Sequence, residues 1–382
     1  MNKTNVDFKL LVVVLFLVMI GTIMVYSSSS MWGYVRYNDS LYFFKRHLIK
    51  VVIGLCLMFV IMKVDYNFYR PFSIPLLIFG FVLLSYIVIS NDIDKIRGVS
   101  RWIKIFNLSL QPSEFMKYAL IFYMADALVR KQDKLSNLIE GYIPLVSILG
   151  VTIILIICEP NLGTASIIFM ITFTLFFAGK VKIIHLIGTI LASIPVGYII
   201  VFKFLYKYQF KRILAYLNPD ADPLGMGYQI KQSLIGLGNG WIWGVGLGNS
   251  KQKLLFLPEP YKDFIFSIIG EEFGFIGTCF IIILFLYILW RGLKIASSVP
   301  DLYGSLLATG ITLSFVISAL VNVAVVCNLL PTTGFPLPFL SYGGSALLFS
   351  LMAMGVLLNI SSKYKIYKNK PENTNQITNK QK

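Results

Sequence analysis

Carboxylates are scarce in this sequence. Its 382 residues hold 18 Asp and Glu against 34 Lys and Arg, and only 14% are charged. Soluble domains carry about a quarter charged residues, so a string of soluble domains is excluded. Histidine occurs twice, at His47 and His185, far apart in the chain. A catalytic or metal-binding histidine pair is not expected, and both are read as interfacial residues at helix ends. The four cysteines, Cys56, Cys158, Cys279 and Cys327, show no C-x-x-C spacing. That removes a disulfide framework and a zinc site and leaves them as small buried hydrophobes. A phosphate loop for nucleotides is missing too. The glycine-rich stretch Gly236 to Gly248 follows no strand and lacks the lysine at the required spacing.

What fills the chain is apolar. Hydrophobic residues make up 57%, and mean hydropathy is +0.74. Apolar runs of near-spanning length recur from end to end, which defines an all-α polytopic membrane protein. Ten spans are expected, at 10–29, 47–64, 72–90, 112–130, 142–158, 162–179, 183–204, 264–290, 303–326 and 343–361. An even number puts both termini on one side. The first run, Leu10 to Tyr26, is long for a signal peptide and is read as an uncleaved helix. The expected organisation is one integral membrane domain over residues 1–361 with a large extracellular loop at 205–263. A disordered cytoplasmic tail, rich in Lys, Asn and Gln, follows at 362–382.

The net charge is +16. Short loops holding Arg70, Arg130, Lys131, Lys134, Lys180, Lys182, Arg291 and Lys294, together with the tail lysines, favour both ends in the cytoplasm. The opposite face is about equally basic, with Arg97, Arg101, Lys104, Lys211 and Arg212 among its residues. Long loops translocate regardless of charge. The loop at 91–111, however, is short and dense in Lys and Arg, which points to an anionic ligand on that face. Nucleic acid is not an expected partner.

Two non-spanning regions have ordered composition. In 205–263, Tyr206 to Leu214 mixes aromatic, basic and aliphatic residues as an interfacial helix does. Tyr228 to Leu237 reads as a second amphipathic helix. The glycines after it permit tight backbone and close approach of a ligand. In Leu330 to Ser345, three prolines and three glycines prevent regular helix. Such backbone at membrane depth must be buried in protein or line a polar cavity.

Polar groups near the spans then narrow the search. Asp263 sits where a polar loop enters a strongly apolar run, Phe264 onward, and an acid at that boundary is costly unless paired or used. Glu114 and Lys117, three apart, share a helix face as an ion pair. That pair either orients helices or joins Asp263, with Lys117 holding that carboxylate ionised. Adjacent Glu271 and Glu272 point about 100° apart, so at least one meets a polar partner elsewhere. Asn322 reads as helix glue, and Asp126 as a cap or snorkelling group.

Several ordered segments resemble the SEDS family of bacterial cell-wall polymerases (FtsW, RodA and SpoVE). They are Arg101-Trp102-Ile103; Gln111-Pro112-Ser113-Glu114 with Lys117; Glu159-Pro160 with Leu162-Gly163-Thr164; and Asn218-Pro219 with Asp222-Pro223 and Gly225. Gly227-Tyr228-Gln229, Leu257-Pro258-Glu259 with Asp263-Phe264-Ile265-Phe266, Glu271-Glu272 with Gly274, and Pro331 to Ser345 complete the set. Phe44-Lys45-Arg46 and Gly246-Leu247-Gly248-Asn249-Ser250 look more like the FtsW/SpoVE branch than RodA. Two departures stand out. Asn161 replaces a usual Asp and is dropped from the site. Tyr261-Lys262 replaces a frequent His-Thr before the catalytic Asp.

The resemblance implies polymerisation of lipid II into glycan strands on the outer face of the bacterial cytoplasmic membrane, in cell division. Undecaprenyl diphosphate leaves. Asp263 is the expected general base for the attacking sugar hydroxyl. A diphosphate leaves readily once its charge is compensated, so no second carboxylic acid is needed. Arg101, Lys117, Lys211 and Arg212 are the expected charge-holders. Glu114, Glu259, Ser341, Gly343, Gly344 and Ser345 complete the expected substrate-binding set. A divalent cation, Mg or Mn, through Asp263 or Glu259 is a further expectation, and no organic cofactor is. The resemblance also implies a class B penicillin-binding protein as transpeptidase partner, alongside other division proteins. Two other readings fit the composition: a lipid II flippase and a non-enzymatic division scaffold. Transport sites lie near the midplane rather than at one face, and a scaffold leaves the cost of the buried charges unexplained.

Overall fold

The computed structural model describes residues 6–90, 101–105, 108–199, 212, 215–218 and 225–368. Its helices, in chain order, are α1 (Phe8–Tyr37), α2 (Tyr42–Ile61), α3 (Ser73–Ser90), α4 (Pro112–Arg130), α5 (Ile143–Cys158) and α6 (Leu162–Ala178). They continue with α7 (Ile183–Ile199), α8 (Met226–Gly240), α9 (Ile265–Ala296), α10 (Leu302–Val326) and α11 (Ser345–Lys368). All but α8 fall on the ten expected spans. A hairpin of β1 (Ile103–Ile105) and β2 (Leu108–Leu110) precedes α4, with Ile103 opposite Leu110. The interfacial segment expected at Tyr206 to Leu214 lies outside the described residues apart from Arg212.

Six of the helical stretches, counting α5 with the turn before it, are long and apolar enough to cross a membrane on length and composition alone. α6 and α7 are shorter, and α4 carries Glu114, Lys117, Asp126 and Arg130. The bundle covers what these sequences leave polar. α10 packs against α4, α6, α9 and α11, while α11 also lies along α2. α3 and α9 turn most of their apolar surface outward. Cys56 and Cys158 lie on outward surfaces and are exposed, so these two are not the buried hydrophobes expected.

The start of α1 and the last turns of α11 meet at one end of the bundle. The Asp7 N–H donates to Ser361 Oγ at 3.0 Å, and Arg291 binds the Asp7 carboxylate. Asp7 also caps α1 by accepting from the Leu10 N–H at 3.2 Å. α11 runs through Lys368, so the expected tail boundary at 362 falls on its last turns, and 369–382 lie outside the described residues. Asp263, Glu114 and the 331–345 stretch belong to the opposite end.

Near that end α9 is broken. Gly274 sits at φ 66°, ψ −164°, which interrupts the ladder of helical hydrogen bonds. The segment after α8 enters the gap. Phe275 N–H donates to Trp241 O at 2.7 Å and Ile276 N–H to Ile242 O at 3.2 Å. In return Val245 N–H donates to Glu271 O at 2.9 Å and Gly246 N–H to Glu272 O at 3.0 Å. These bonds satisfy backbone that a lipid surround would leave unpaired. Gly244 makes the approach possible: a Cβ there would lie 2.2 Å from Glu272 O. The close approach expected of this glycine run therefore holds, but what approaches is the α9 backbone rather than a ligand.

The loop before α11 also enters the bundle. Residues 331–337 are irregular, and Phe335, Leu337, Phe339 and Leu340 are buried. A Cβ on Gly21 of α1 would stand 2.5 Å from Phe339 O, so the loop lies directly on the middle of α1. Its non-helical backbone is enclosed by protein, as expected for this composition.

Candidate active site at the Asp263 end of the bundle

Asp263 immediately precedes α9, and its position is set by backbone ties on both sides. Asn322 Nδ2, from α10, donates to Asp263 O at 2.8 Å and to Phe335 O at 2.6 Å. Two residues earlier, Tyr261 O accepts from the Tyr342 N–H at 2.8 Å. The Tyr261 ring is fully buried and packs 4.6 Å from Phe43 between ring centroids. Burial pushes its phenol above the ordinary range. Tyr261 thus anchors the segment that carries Asp263.

A cavity of ≈ 40 Å³ opens beside the carboxylate, with Arg212, Gln229, Asn322, Thr332, Gly334 and Phe335 among its lining residues. Gly334 has φ 72°, and a Cβ on it would lie 3.4 Å from Asp263 Oδ2 and 3.7 Å from Arg212 Nη2. Carboxylate and guanidinium therefore flank one glycine. Arg212 is steadied by donating from Nη1 to Thr332 O at 3.0 Å. Asn322 Oδ1 is buried with no hydrogen-bond partner. Asn322 is a site residue that the helix-glue reading missed, because its two backbone partners lie on other segments. The volume admits a hydroxyl group, not a sugar ring.

Glu114 and Lys117 stand elsewhere. Lys117 Nζ donates to Glu114 Oε2 at 2.8 Å, and the two side chains are 4% and 2% exposed. A smaller cavity beside them is shared with Phe335, Ser341 and Gly343. Phe335 thus borders both cavities, and Lys117 Nζ lies 5.6 Å from its ring centroid. The expectation that Lys117 positions Asp263 is corrected. Lys117 is occupied by Glu114, and among the described residues the cation lining the Asp263 cavity is Arg212.

The other expected residues divide. Lys211 lies outside the described residues. Glu259 is held by Arg36 at 3.3 Å and Lys262 at 2.9 Å and does not line the Asp263 cavity. It therefore does not fit as a second metal ligand. Among the described residues no three of His, Cys, Asp and Glu gather as a metal cage. Ser341 Oγ accepts from the Leu337 N–H at 2.8 Å and Ser345 Oγ from the Gln111 N–H at 3.0 Å. Those serines shape the loop. Gly343 borders the Lys117 cavity, while a Cβ on Gly344 would lie 3.2 Å from Ser109 O and 3.7 Å from Lys50 Nζ.

Lys50 and Arg46 are cations the spacing argument did not single out. They lie one turn apart on α2, and among the described residues neither meets a carboxylate. Lys50 Nζ rests 4.7 Å over the Tyr342 ring. His47, between them, is fully buried with both ring nitrogens unpartnered, not interfacial as expected. Only a view of α2 against the Tyr342 loop relates these groups to the site.

Arg101 clamps the turn between α5 and α6, donating from Nε to Glu159 O at 3.3 Å and from Nη2 to Pro160 O. The Glu159 carboxylate there is fully buried, and neither oxygen meets a donor at hydrogen-bonding geometry. Burial pushes this carboxyl up to about 8, against the weaker opposing pull of the Ser113 hydroxyl and the Arg101 charge. Between its ordinary value of 4.5 and about 8, the folded chain holds a proton that the unfolded chain has released. Stability from this group is therefore full below the lower value and is lost as pH rises toward the higher one. Thermal unfolding across pH 5–9 is expected to show that decline, and Glu159→Gln to remove it; an unchanged pH slope in the variant contradicts the assignment.

Among the described residues, ten long helices, two inserted non-helical segments and a carboxylate–guanidinium cavity remote from Asp7 and Ser361 define the class. It is a multi-pass membrane protein with a charged site at one end of its bundle. The sequence model of the family described as "Cell cycle protein" (FtsW/RodA/SpoVE) matches residues 8–366. The chain belongs to that family. It is 44% identical to Stage V sporulation protein E of Bacillus subtilis, over 94% of this chain and 98% of that one. It is 43% identical to the probable peptidoglycan glycosyltransferase FtsW of Trichlorobacter lovleyi, over 94% of each. Among solved structures, a chain described under "Structural coordination of polymerization and crosslinking by a peptidoglycan synthase complex" aligns with TM-score 0.73 at 23% identity. That alignment covers 94% of this chain and 98% of that one. The rod shape determining protein RodA of Thermus thermophilus aligns with TM-score 0.69 at 21% identity, over 95% and 99%. These two likenesses establish the polytopic fold.

Proposed function

We propose that this chain, a peptidoglycan glycosyltransferase like its FtsW relatives, polymerises lipid II at the outer face of the cytoplasmic membrane during cell division. Both termini are then cytoplasmic. The observation that carries the reading is the Asp263 carboxylate at the head of α9, facing a cavity with Arg212 and the Asn322 acceptor.

Asp263 accepts the proton of the acceptor sugar hydroxyl as its oxygen attacks the anomeric carbon of the donor. The glycosidic C–O bond forms while the bond from that carbon to the diphosphate breaks. One displacement inverts the carbon, so an α-linked donor gives a β-linked strand. Arg212 sits where it offsets charge developing on the departing diphosphate. Lys50 offers further positive charge beside Gly344. Mg²⁺ sites use one or two carboxylates plus substrate phosphates, so among the described residues of this cavity Asp263 is the carboxylate that would hold a cation carried with the diphosphate.

The buried charges argue against transport. Glu114–Lys117 and Lys253–Glu272 are paired charges, each engaged by its partner rather than left open to a cargo. The test is purified chain with a class B penicillin-binding protein and lipid II. Glycan strands are expected, and none under any metal condition overturns the reading. The same assay with chelator decides the cation.

Gly334 gives a sharper check. Its φ of 72° disfavours a β-branched residue, and the added methyls fall into the Asp263 cavity. Gly334→Val is expected to cut turnover by about ten- to a hundredfold while the protein remains folded in detergent. Full turnover from a folded variant would remove this cavity from the mechanism.

A further inference from the structure

A cavity of ≈ 430 Å³ lies at the opposite end from Asp263. It is lined by the α2–α3 connection (Tyr66, Asn67, Arg70), the end of α4, the start of α10 (Leu302, Tyr303) and Lys363 of α11. The volume falls in the range of ligand pockets, about 300–1,000 Å³. The polymerase chemistry makes no use of it.

Its hydrogen-bond inventory is one-sided. Every neighbouring carboxylate oxygen is engaged. Asp126 accepts from Arg70 Nε at 2.9 Å, from Arg130 Nε at 2.8 Å and from Ser73 Oγ at 3.0 Å. Asp65 accepts from the Asn67 N–H at 2.9 Å and from Lys363. Asp301 accepts from the Gly304 N–H at 2.7 Å and from the Tyr66 hydroxyl. Donors are left over. The Tyr303 hydroxyl is buried and has no partner, although the residue is only 2% exposed. Arg70 uses only Nε, so among the described residues its two terminal amino groups are unengaged. Its guanidinium carbon rests 5.5 Å from the centroid of the Tyr303 ring, so guanidinium and phenol border the same cleft. A buried hydroxyl without a partner carries a real cost, and a protein acceptor is not at hand.

The occupant must therefore supply acceptors and negative charge. Its surroundings indicate where it comes from. Phe68 and Phe72, on the same connection, are 57% and 46% exposed, as aromatics at a membrane interface are. Basic pockets between spanning helices on the cytoplasmic side take anionic headgroups. We propose that the Arg70–Tyr303–Lys363 cleft binds the phosphate of a net-anionic phospholipid headgroup from the leaflet opposite the polymerase site. The phosphate lies between the Arg70 fork and the Tyr303 hydroxyl, and Lys363 faces the remainder of the headgroup.

The test uses the full chain in nanodiscs of phosphatidylglycerol or phosphatidylcholine, with lipid retention read by native mass spectrometry. Wild type is expected to retain phosphatidylglycerol at least tenfold over phosphatidylcholine. Tyr303→Phe and Arg70→Lys are each expected to reduce that preference about tenfold. Tyr303→Phe keeps the ring and removes only an unpartnered hydroxyl, so its thermal midpoint in lipid-free detergent should not fall. Equal retention of the two lipids, or an intact preference in both variants, overturns the proposal. Displacement by inorganic phosphate would assign the cleft to a free phosphate compound and overturn the lipid source. None of these readouts depends on glycan synthesis, so they stand or fall apart from the Asp263 mechanism.

Discussion

Asp263→Asn is expected to abolish glycan synthesis while leaving the fold intact. The amide matches the carboxylate in shape, and the ties that place this segment run through backbone atoms, Asp263 O to Asn322 and Tyr261 O to Tyr342. Neither depends on the carboxyl group. What is lost is the capacity to accept a proton beside Arg212. Removing a general base costs about 10²–10⁴-fold in rate. The loss should appear in turnover, with KM for lipid II little changed, because the base acts in the transition state. Thermal unfolding and capture of the transpeptidase should match wild type. Wild-type strand length and yield from the Asn variant would reject Asp263 as the base and move the search to the cations around Lys50.

The largest effect on stability is expected at Lys253 and Glu272. Lys253 Nζ reaches into the bundle to Glu272 Oε1 at 2.8 Å and to Ser27 Oγ of α1 at 2.9 Å. Ser27 Oγ also donates to Glu272 Oε1 at 2.7 Å. The side chains of the ion pair are 9% and 0% exposed. This triad ties α1, the re-entrant segment and the broken α9 at one point, about 10 Å along α9 from its start. Removing one member strands the other charge in an apolar surround, which costs about 3–5 kcal/mol. Lys253→Met or Glu272→Leu alone should therefore unfold at much lower temperature. The double variant removes both charges and should recover most of the loss, since apolar replacement of a buried pair is often neutral. Ser27 then turns its hydroxyl to its own helix backbone. Additive losses in the double variant would show that packing, not charge pairing, holds this junction.

The reach of sequence reasoning differs from residue to residue. Asp263 was legible because a single acid stands where a polar run meets an apolar one. The Glu114–Lys117 pair was legible because three-residue spacing fixes a shared helix face. At least one of Glu271 and Glu272 was expected to find a polar partner, and both do: Glu271 accepts from Lys251 N at 3.1 Å and Gln252 N at 3.2 Å, and Glu272 from Lys253 and Ser27. The partners themselves were not legible, since Ser27 is 245 residues away. Asp126 was read as a snorkelling group, yet it is buried and holds Arg70, Arg130 and Ser73.

Hydrophobic run length placed the long helices that the structure shows, because each lipid-facing turn must satisfy its own backbone and present apolar side chains. Proline and glycine placement determined that residues 331–344 would be irregular. Those are local constraints, written in consecutive residues. Which cation faces Asp263, what enters the gap at Gly274 and which donors are left over around Tyr303 were decided only when the helices packed. A salt bridge or an unfilled hydroxyl is a relation between distant segments, and its energy depends on burial that no single stretch of sequence possesses.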